Sequence, residues 1–327
     1  MLFGIRNMKK RLLFLTAFFA MLCWLTFNSL AQNVKPLVQD DKQPNSKPPK
    51  STQDDNVVRI KTELVTVLVS VTDQKGNLIS NLSKDDFELS ENNIPQEVFA
   101  VAKENTAPLR LVVLFDTSVS VKPKIKFQQQ AATKFFKSVL RPVDQASLLS
   151  FNHDVVIEKG FTSDTEALAD AARSLKAKGG TALYDAIYLA SQQLEKVSGR
   201  RVIVIISDGA NVISRTTLDT ALKITERADV VIYGIYTATR LEEFGVVAGD
   251  KELEKICERT GGEVFFPNDI NDLDESFNRL AAVVRAQYAL TFYPSNEQNG
   301  NYRALKVNVK NPGLKVKARK GYYASQD

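Results

Sequence analysis

Asp116-Thr117-Ser118-Val119-Ser120 follows directly on the run Leu109–Phe115, which is apolar except for Arg110. A buried strand that ends in one carboxylate and two hydroxyls at alternate positions sends three hard oxygen atoms roughly one way, and hard divalent cations prefer such ligands. Two more pieces suit the same place. Gly179-Gly180-Thr181 opens a helical stretch, and Ser207-Asp208-Gly209 closes a second apolar strand. Taken singly, these residues have plainer uses: Ser118 and Ser120 as helix caps, Asp208-Gly209 as an ordinary turn.

Asp-x-Ser-x-Ser with a later Thr and a later Asp resembles the metal-ion-dependent adhesion site of von Willebrand factor type A domains. The resemblance covers about residues 108–286. It implies that Ser118, Ser120 and Thr181 bind Mg²⁺ directly through hydroxyls, while Asp116 and Asp208 supply charge, partly through bridging waters. Oxygen ligands of this kind also suit Mn²⁺ and Ca²⁺. With neutral hydroxyls as its direct protein ligands, Mg²⁺ stays electrophilic, with one position held by exchangeable water. A partner's Asp or Glu carboxylate displaces that water, which is recognition without a chemical step. Asp185, four residues after Thr181, either orients the serine loop or simply favours its helix N-terminus. Asn211, Ser214, Thr239 and Arg240 lie on loops of the same rim and are candidates for partner contact. Leu241–Asp250 is the long rim loop.

Strand and helix alternate through 108–286, which predicts an α/β fold: a doubly wound, mostly parallel sheet flanked by helices. Strands are expected at Leu109–Phe115, Ala146–Phe151, Arg201–Ser207, Val230–Thr237 and Glu263–Pro267, apolar enough to be buried on both faces. Helices are expected over Lys124–Leu140, Ala167–Leu175, Leu183–Val197, Thr217–Ala228, Asp250–Thr260 and Asp272–Arg285. Ser163-Asp164-Thr165-Glu166 has capping-box spacing before the second, and Gly261-Gly262 stops the fifth. Carboxyl ends of such strands gather ligands.

The flanks read as β structure. Val65, Val67, Val69 and Val71 alternate with Thr66, Leu68, Ser70 and Thr72; Leu82–Leu89 suggests a strand or short helix, and Val98–Ala102 another strand. Near the other end come Ala289–Tyr293, then Leu305–Val309 and Leu314–Ala318 joined at Asn311-Pro312-Gly313, with lysines at alternate positions. Those lysines are either the solvent face of a half-buried antiparallel sheet or a basic binding face. Segments 57–107 and 287–327 each look too small to stand alone, so pairing into one sandwich around an inserted α/β domain is the expectation. Gly321-Tyr322-Tyr323-Ala324, together with the N-terminal strands, resembles bacterial exported proteins described as von Willebrand factor type A-related.

The first residues carry a basic stretch (Arg6, Lys9, Lys10, Arg11) and a nearly unbroken apolar run from Leu12 to Phe27, then Ser29-Leu30-Ala31. That is a signal peptide over 1–31, cleaved after Ala31, followed by a Pro-rich tether over 32–56. Of 43 basic residues the segment holds four, leaving 39 against 38 acidic ones. Nothing in that balance calls for nucleic acid or an anionic membrane. Cys23 leaves with the signal; Cys257 stands alone in a helical core pattern, so an internal disulfide is not expected.

Common catalytic arrangements are missing from the sequence. His153, the one histidine, sits in a turn-like Asn152-His153-Asp154, and no nucleophile elbow, P-loop or dinucleotide fingerprint is present. The expectation is an exported, periplasmic or cell-surface protein-binding module, not an enzyme, with no small-molecule substrate and no membrane span in the mature chain. The alternatives are a structural envelope subunit without metal dependence, and an Mg²⁺-dependent phosphoryl hydrolase using Asp116.

Overall fold

The structure is a computed structural model that describes residues 64–103, 107–237, 249–267, 272–294 and 300–324. The expected signal segment, the tether, Cys23, Thr239-Arg240 and residues 241–248 of the rim loop lie outside these residues. Four strands come first: β1 (Val65–Thr72), β2 (Phe87–Glu91), β3 (Ile94–Gln96) and β4 (Val98–Ala102). The chain then passes through β5 (Leu109–Asp116), α1 (Ile125–Val139), β6 (Gln145–Phe151), β7 (Val155–Thr162), α2 (Thr165–Ser174), α3 (Leu183–Glu195) and β8 (Arg200–Ser207). It continues with α4 (Leu218–Arg227), β9 (Val230–Tyr236), α5 (Gly249–Thr260), β10 (Val264–Phe265) and α6 (Asp272–Arg285). Four strands close it: β11 (Tyr288–Phe292), β12 (Tyr302–Val309), β13 (Lys315–Ala318) and β14 (Gly321–Tyr323).

Strands β10-β9-β8-β5-β6-β7 form one sheet in that order, parallel except for β7, which runs antiparallel to β6. Alternation along β5 feeds both faces. Leu111, Val113 and Phe115 pack with α1, α2 and α6; Val112 and Leu114 pack with α3, α4 and α5. Each fully buried side chain of this size is worth about 1.5–3 kcal/mol, which is why the central strands read as continuous apolar runs. Cys257 is buried in the second of these cores, and desolvation drives its thiol pKa up, away from reactivity. Strand β7 has no counterpart in the apolar pattern, because it is an edge strand whose Val156 and Ile157 are exposed.

Helix starts depart from the pattern in one place. Asp164, not Ser163, caps α2, its carboxylate accepting the N–H groups of Glu166 and Ala167 at 3.0 Å each. At the end of α5, Gly261 adopts φ +90°, and Gly262 passes so close to β9 that a Cβ there would meet the Ile232 carbonyl oxygen at 1.9 Å. Only glycine fits that approach.

The remaining strands form two four-stranded sheets, β13-β1-β11-β4 and β14-β12-β2-β3. Each sheet mixes strands from both ends of the chain, β1 pairing with β11 and β2 with β12. Their inner faces share one core, in which Phe87 and Tyr288 meet edge to face at 5.3 Å. Strands β12 and β13 are neighbours in sequence yet lie in opposite sheets, so the turn at Asn311-Pro312-Gly313 crosses the sandwich rather than closing a hairpin. Asn92 and Asn93, both at positive φ, turn β2 into β3, a role Asn tolerates better than other non-glycine residues. The sandwich meets the α/β domain where the parallel strands begin. Lys317 pairs with Glu263 at 2.7 Å, Arg319 with Asp229, and the Lys320 N–H donates to the Arg259 carbonyl at 3.1 Å.

One polar cluster lies inside the sandwich. Glu91, fully buried, accepts from the Tyr322 hydroxyl at 2.5 Å and pairs with Arg303 at 3.3 Å. Removing one member leaves an uncompensated charge in low dielectric. Glu91→Ala is therefore expected to destabilise the chain by about 3–5 kcal/mol in urea unfolding, and Tyr322→Phe by about 1–3 kcal/mol. A loss below about 1 kcal/mol for Glu91→Ala would contradict the role given to this pair.

Candidate functional site

Strands β5 and β8 run side by side and parallel, so their carboxyl ends place Asp116 beside Ser207. The connections from β5 lead outward to β6, and β8 lies on its other side, which makes this gap the switch point of the sheet. Past Asp116 the chain leaves the sheet and tightens into a single 3₁₀ turn over Val119–Val121. That turn brings the Ser118 and Ser120 hydroxyls to 2.9 Å from each other. Asp116 Oδ1 accepts the Ser118 N–H at 2.8 Å, and Oδ2 accepts the Ser207 hydroxyl at 2.5 Å.

The Gly179-Gly180-Thr181 strip is fastened from three sides. Gly179 offers its carbonyl to the Val119 N–H at 3.2 Å, and the Thr181 carbonyl accepts the Val212 and Ile213 N–H groups at 2.9 and 3.2 Å. The Gly180 N–H donates to His153 Nδ1 at 2.7 Å. Gly179 has φ +78°, and a Cβ there would strike the His153 ring at 2.5 Å, so glycine is needed for the approach. His153 is exposed as the turn pattern suggests, but its ring also holds this strip. Asn152 works from beneath: its Nδ2 donates to Thr117 Oγ1 at 2.9 Å, and its carbonyl accepts the Ala182 N–H at 2.8 Å.

Asp116, Ser118, Ser120, Thr181 and Asp208 thus stand on one rim, joined by hydrogen bonds between the three loops that carry them. Asp116, Ser118 and Thr181 are buried, Asp208 is half-buried, and Ser120 is exposed. Asp185 has neither expected role as the main one: its carboxylate accepts the Arg215 and Thr216 N–H groups at 3.0 and 2.7 Å, pinning the loop after Asp208. Asn211 and Ser214 cap α3, accepting the Leu183 and Tyr184 N–H groups at 3.0 Å each. Ser207 and Asn152 are the site residues that sequence reasoning passed over. A serine closing an apolar strand beside Asp-Gly is the one signal that pointed to the first; Asn152 carried none.

Electrostatics here are unbalanced. Burial raises the Asp116 pKa from 3.8 to about 6 against the pull of its Ser207 and Ser118 hydrogen bonds, and the nearby Asp208 charge adds to the rise. Both hydrogen-bonding partners of Asp116 are neutral, and among the described residues neither aspartate makes an ion pair. Among the described residues no cluster of three His, Cys, Asp or Glu side chains stands ready to hold a metal. The donor set on this rim is hydroxyl-rich, which suits a hard divalent cation rather than zinc. Thr237, whose N–H donates to the Ser207 carbonyl at 3.0 Å, adds a buried Oγ1 with no hydrogen-bond partner.

Residues 111–211 match the family model of the von Willebrand factor type A domain. The chain carries a von Willebrand factor type A domain. A curated relative, inter-alpha-trypsin inhibitor heavy chain H4 from Bos taurus, is 27% identical over an alignment of 224 residues that covers 63% of this chain and 24% of the relative. The match therefore spans about a quarter of that protein's length. Among solved structures, a von Willebrand factor type A protein from Catenulispora acidiphila is similar at TM-score 0.45 and 15% identity, with 76% of each chain covered. An aerotolerance-related membrane protein from Bacteroides fragilis is similar at TM-score 0.43 and 17% identity, covering 53% of this chain and 98% of that one. The matched residues include Asp116, Ser118, Ser120, Asn152, His153, Thr181, Ser207 and Asp208.

The charge imbalance has a measurable consequence. Because burial raises the folded-state pKa of Asp116 above its unfolded value, protonation favours the folded chain. The cost of the carboxylate appears as pH rises from about 4 and is complete above about 6. Asp116→Asn keeps the shape and removes the charge. In chelator at pH 7.5 it is expected to stabilise the chain by roughly 1–3 kcal/mol, and by nearly nothing at about pH 3, where the carboxyl is protonated folded and unfolded alike. Thermal unfolding at the two pH values checks this; a variant less stable than the parent at pH 7.5 would contradict it.

Proposed function

We propose that this chain is an exported, non-enzymatic module whose type A domain binds a protein partner through a divalent cation, Mg²⁺ by preference. The observation that carries the reading is the buried, unneutralised Asp116 at a rim that also gathers three hydroxyls and a second carboxylate. Ser118, Ser120 and Thr181 would hold the ion, with Asp116 and Asp208 balancing its charge. When bound, it supplies a Lewis-acid position open to a carboxylate oxygen from an Asp or Glu of the partner. The rest of the task falls to the chain itself. Asp116 anchors the serine loop through the Ser118 N–H, and Ser207 keeps the carboxylate oriented. His153 and Asn152 fix the strip that bears Thr181.

The surroundings support contact with a macromolecule. Val119 is 58% exposed and Val212 is 68% exposed, both on loops of this rim, with Ile213 beside them. Isolated exposed apolar residues are ordinary, but a group of them around a polar centre is the usual make-up of a recognition surface. The export reading rests on the N-terminal sequence; among the described residues no helix is long and apolar enough to cross a membrane.

Titration of Mn²⁺ followed by electron paramagnetic resonance tests the metal. The parent is expected to bind one ion, and Ser118→Ala/Ser120→Ala to weaken binding at least ~10-fold with an unchanged unfolding midpoint, since each lost ligand removes one charge-assisted contact. Equal Mn²⁺ affinity in parent and double variant would overturn the assignment. Asp116-dependent turnover of a phosphomonoester with Mg²⁺ would replace it with the hydrolase reading.

A further inference from the structure

At the opposite pole, where the parallel strands begin, a cavity of about 490 Å³ opens between the sandwich and the type A domain. Ser80, Lys103 and Tyr288 line it from the sandwich side, and Arg141, Arg285 and Gln287 from the other domain and the connection between them. Three cations and no carboxylate stand among its lining residues. That is an uncommon way to furnish a cavity, because gathered like charges repel one another.

The acidic groups nearby are engaged elsewhere. Asp144 accepts the Leu109 N–H at 2.7 Å and the Arg141 N–H at 2.9 Å. Asp86, which acts on Lys103 only at a distance, accepts the Ser83 N–H and hydroxyl at 2.7 Å each. Lys103 and Arg141 make no ion pair among the described residues. Arg285 donates one arm to the Val139 carbonyl. Behind it, Arg200 donates to the Val284 carbonyl at 2.6 Å. Burial is the main force lowering the pKa values of Arg200 and Arg285; repulsion from Arg141 adds to it and Asp144 opposes it. Gln287, 1% exposed, donates Nε2 to the Tyr233 hydroxyl at 2.9 Å, while its Oε1 is buried without a partner.

We propose that this cavity binds a phosphate group, free or as a monoester, whose charge is neutralised by Lys103, Arg141 and Arg285. Guanidinium groups suit tetrahedral oxyanions because their N–H donors are paired in a plane, and Lys103 supplies a point charge from the other domain. The Ser80 hydroxyl offers one more donor. Gln287 Oε1 selects among anions: hydrogenphosphate and a monoester monoanion carry a P–OH that satisfies an acceptor, whereas sulfate at neutral pH carries no proton. The cavity is roomier than a bare ion needs, which leaves space for the organic part of an ester. This site is independent of the metal reading, lying at the other end of the same strands.

Calorimetric titration of the full chain in chelator, at ionic strength held constant with chloride, tests the site. The probes are inorganic phosphate, glycerol 3-phosphate and sulfate. Phosphate is expected to bind one to one, with Lys103→Gln and Arg141→Gln each weakening it roughly ten-fold or more, since a lost charged hydrogen bond costs that much. Both side chains are exposed, so the variants should unfold at the parent's midpoint. Tighter binding of glycerol 3-phosphate would assign the site to esters, and tighter binding of inorganic phosphate to the free ion. Absence of phosphate binding at 20 mM (~100-fold above a sub-millimolar Kd), or equal binding by the Lys103→Gln/Arg141→Gln double variant, would overturn the proposal. Sulfate binding as tight as phosphate would overturn the part given to Gln287.

Discussion

A carboxylate at the buried end of a central strand must be compensated by something, and at Asp116 the protein compensates it only in part. Two neutral donors hold the group in place, yet desolvation still wins and lifts its pKa to about 6. The rest of the rim is built around that group. The serine loop curls back over Asp116, the glycine strip closes against it, and Asp208 brings a second negative charge nearby rather than a cation. An arrangement that merely stabilised the fold would be expected to bring an arginine or an amide to this place. Here the hydrogen-bonding partners of the carboxylate are both neutral.

The α/β framework makes such precision affordable. Burial of β5 on both faces fixes the height and direction of the strand end, and pairing with β8 sets Ser207 against Asp116. Loops then need to span only a few residues each. Their backbone bonds to one another, through Val119, Gly179, Thr181 and Val212, make the rim one connected surface rather than three separate loops. The sandwich occupies the other pole, where β5 enters and α6 leaves, so its packing leaves the rim open. Basic residues accumulate at that junction, and the cavity between the domains is the complement in charge of the acidic rim.

Periodicity revealed the helices and the buried parallel strands almost in full, since burial on two faces writes itself into composition. It did not reveal β7, whose outer edge is wet and whose alternation is therefore weak. Nor did it show that β12 and β13 belong to opposite sheets, because a crossing connection and a hairpin can share the same Asn-Pro-Gly turn. At the site, the five oxygen-bearing residues were readable as a constellation, while the residues that position them were not. Ser207, Asn152 and His153 act through one or two backbone or side-chain bonds each, and such bonds leave no spacing rule behind. Asn211 and Ser214 illustrate the converse: they stand where partner contact was expected and are instead occupied in holding the start of α3.

The central claim is that a divalent cation resolves the charge imbalance at Asp116. Anomalous diffraction from crystals grown with Mn²⁺ tests it most directly. The account predicts a single strong anomalous peak on the rim, within bonding distance of the Ser118, Ser120 and Thr181 hydroxyls, with water in the position facing solvent. Well-diffracting crystals at millimolar Mn²⁺ with no peak on that rim, and Asp116 protonated and hydrogen-bonded as an acid, would contradict it.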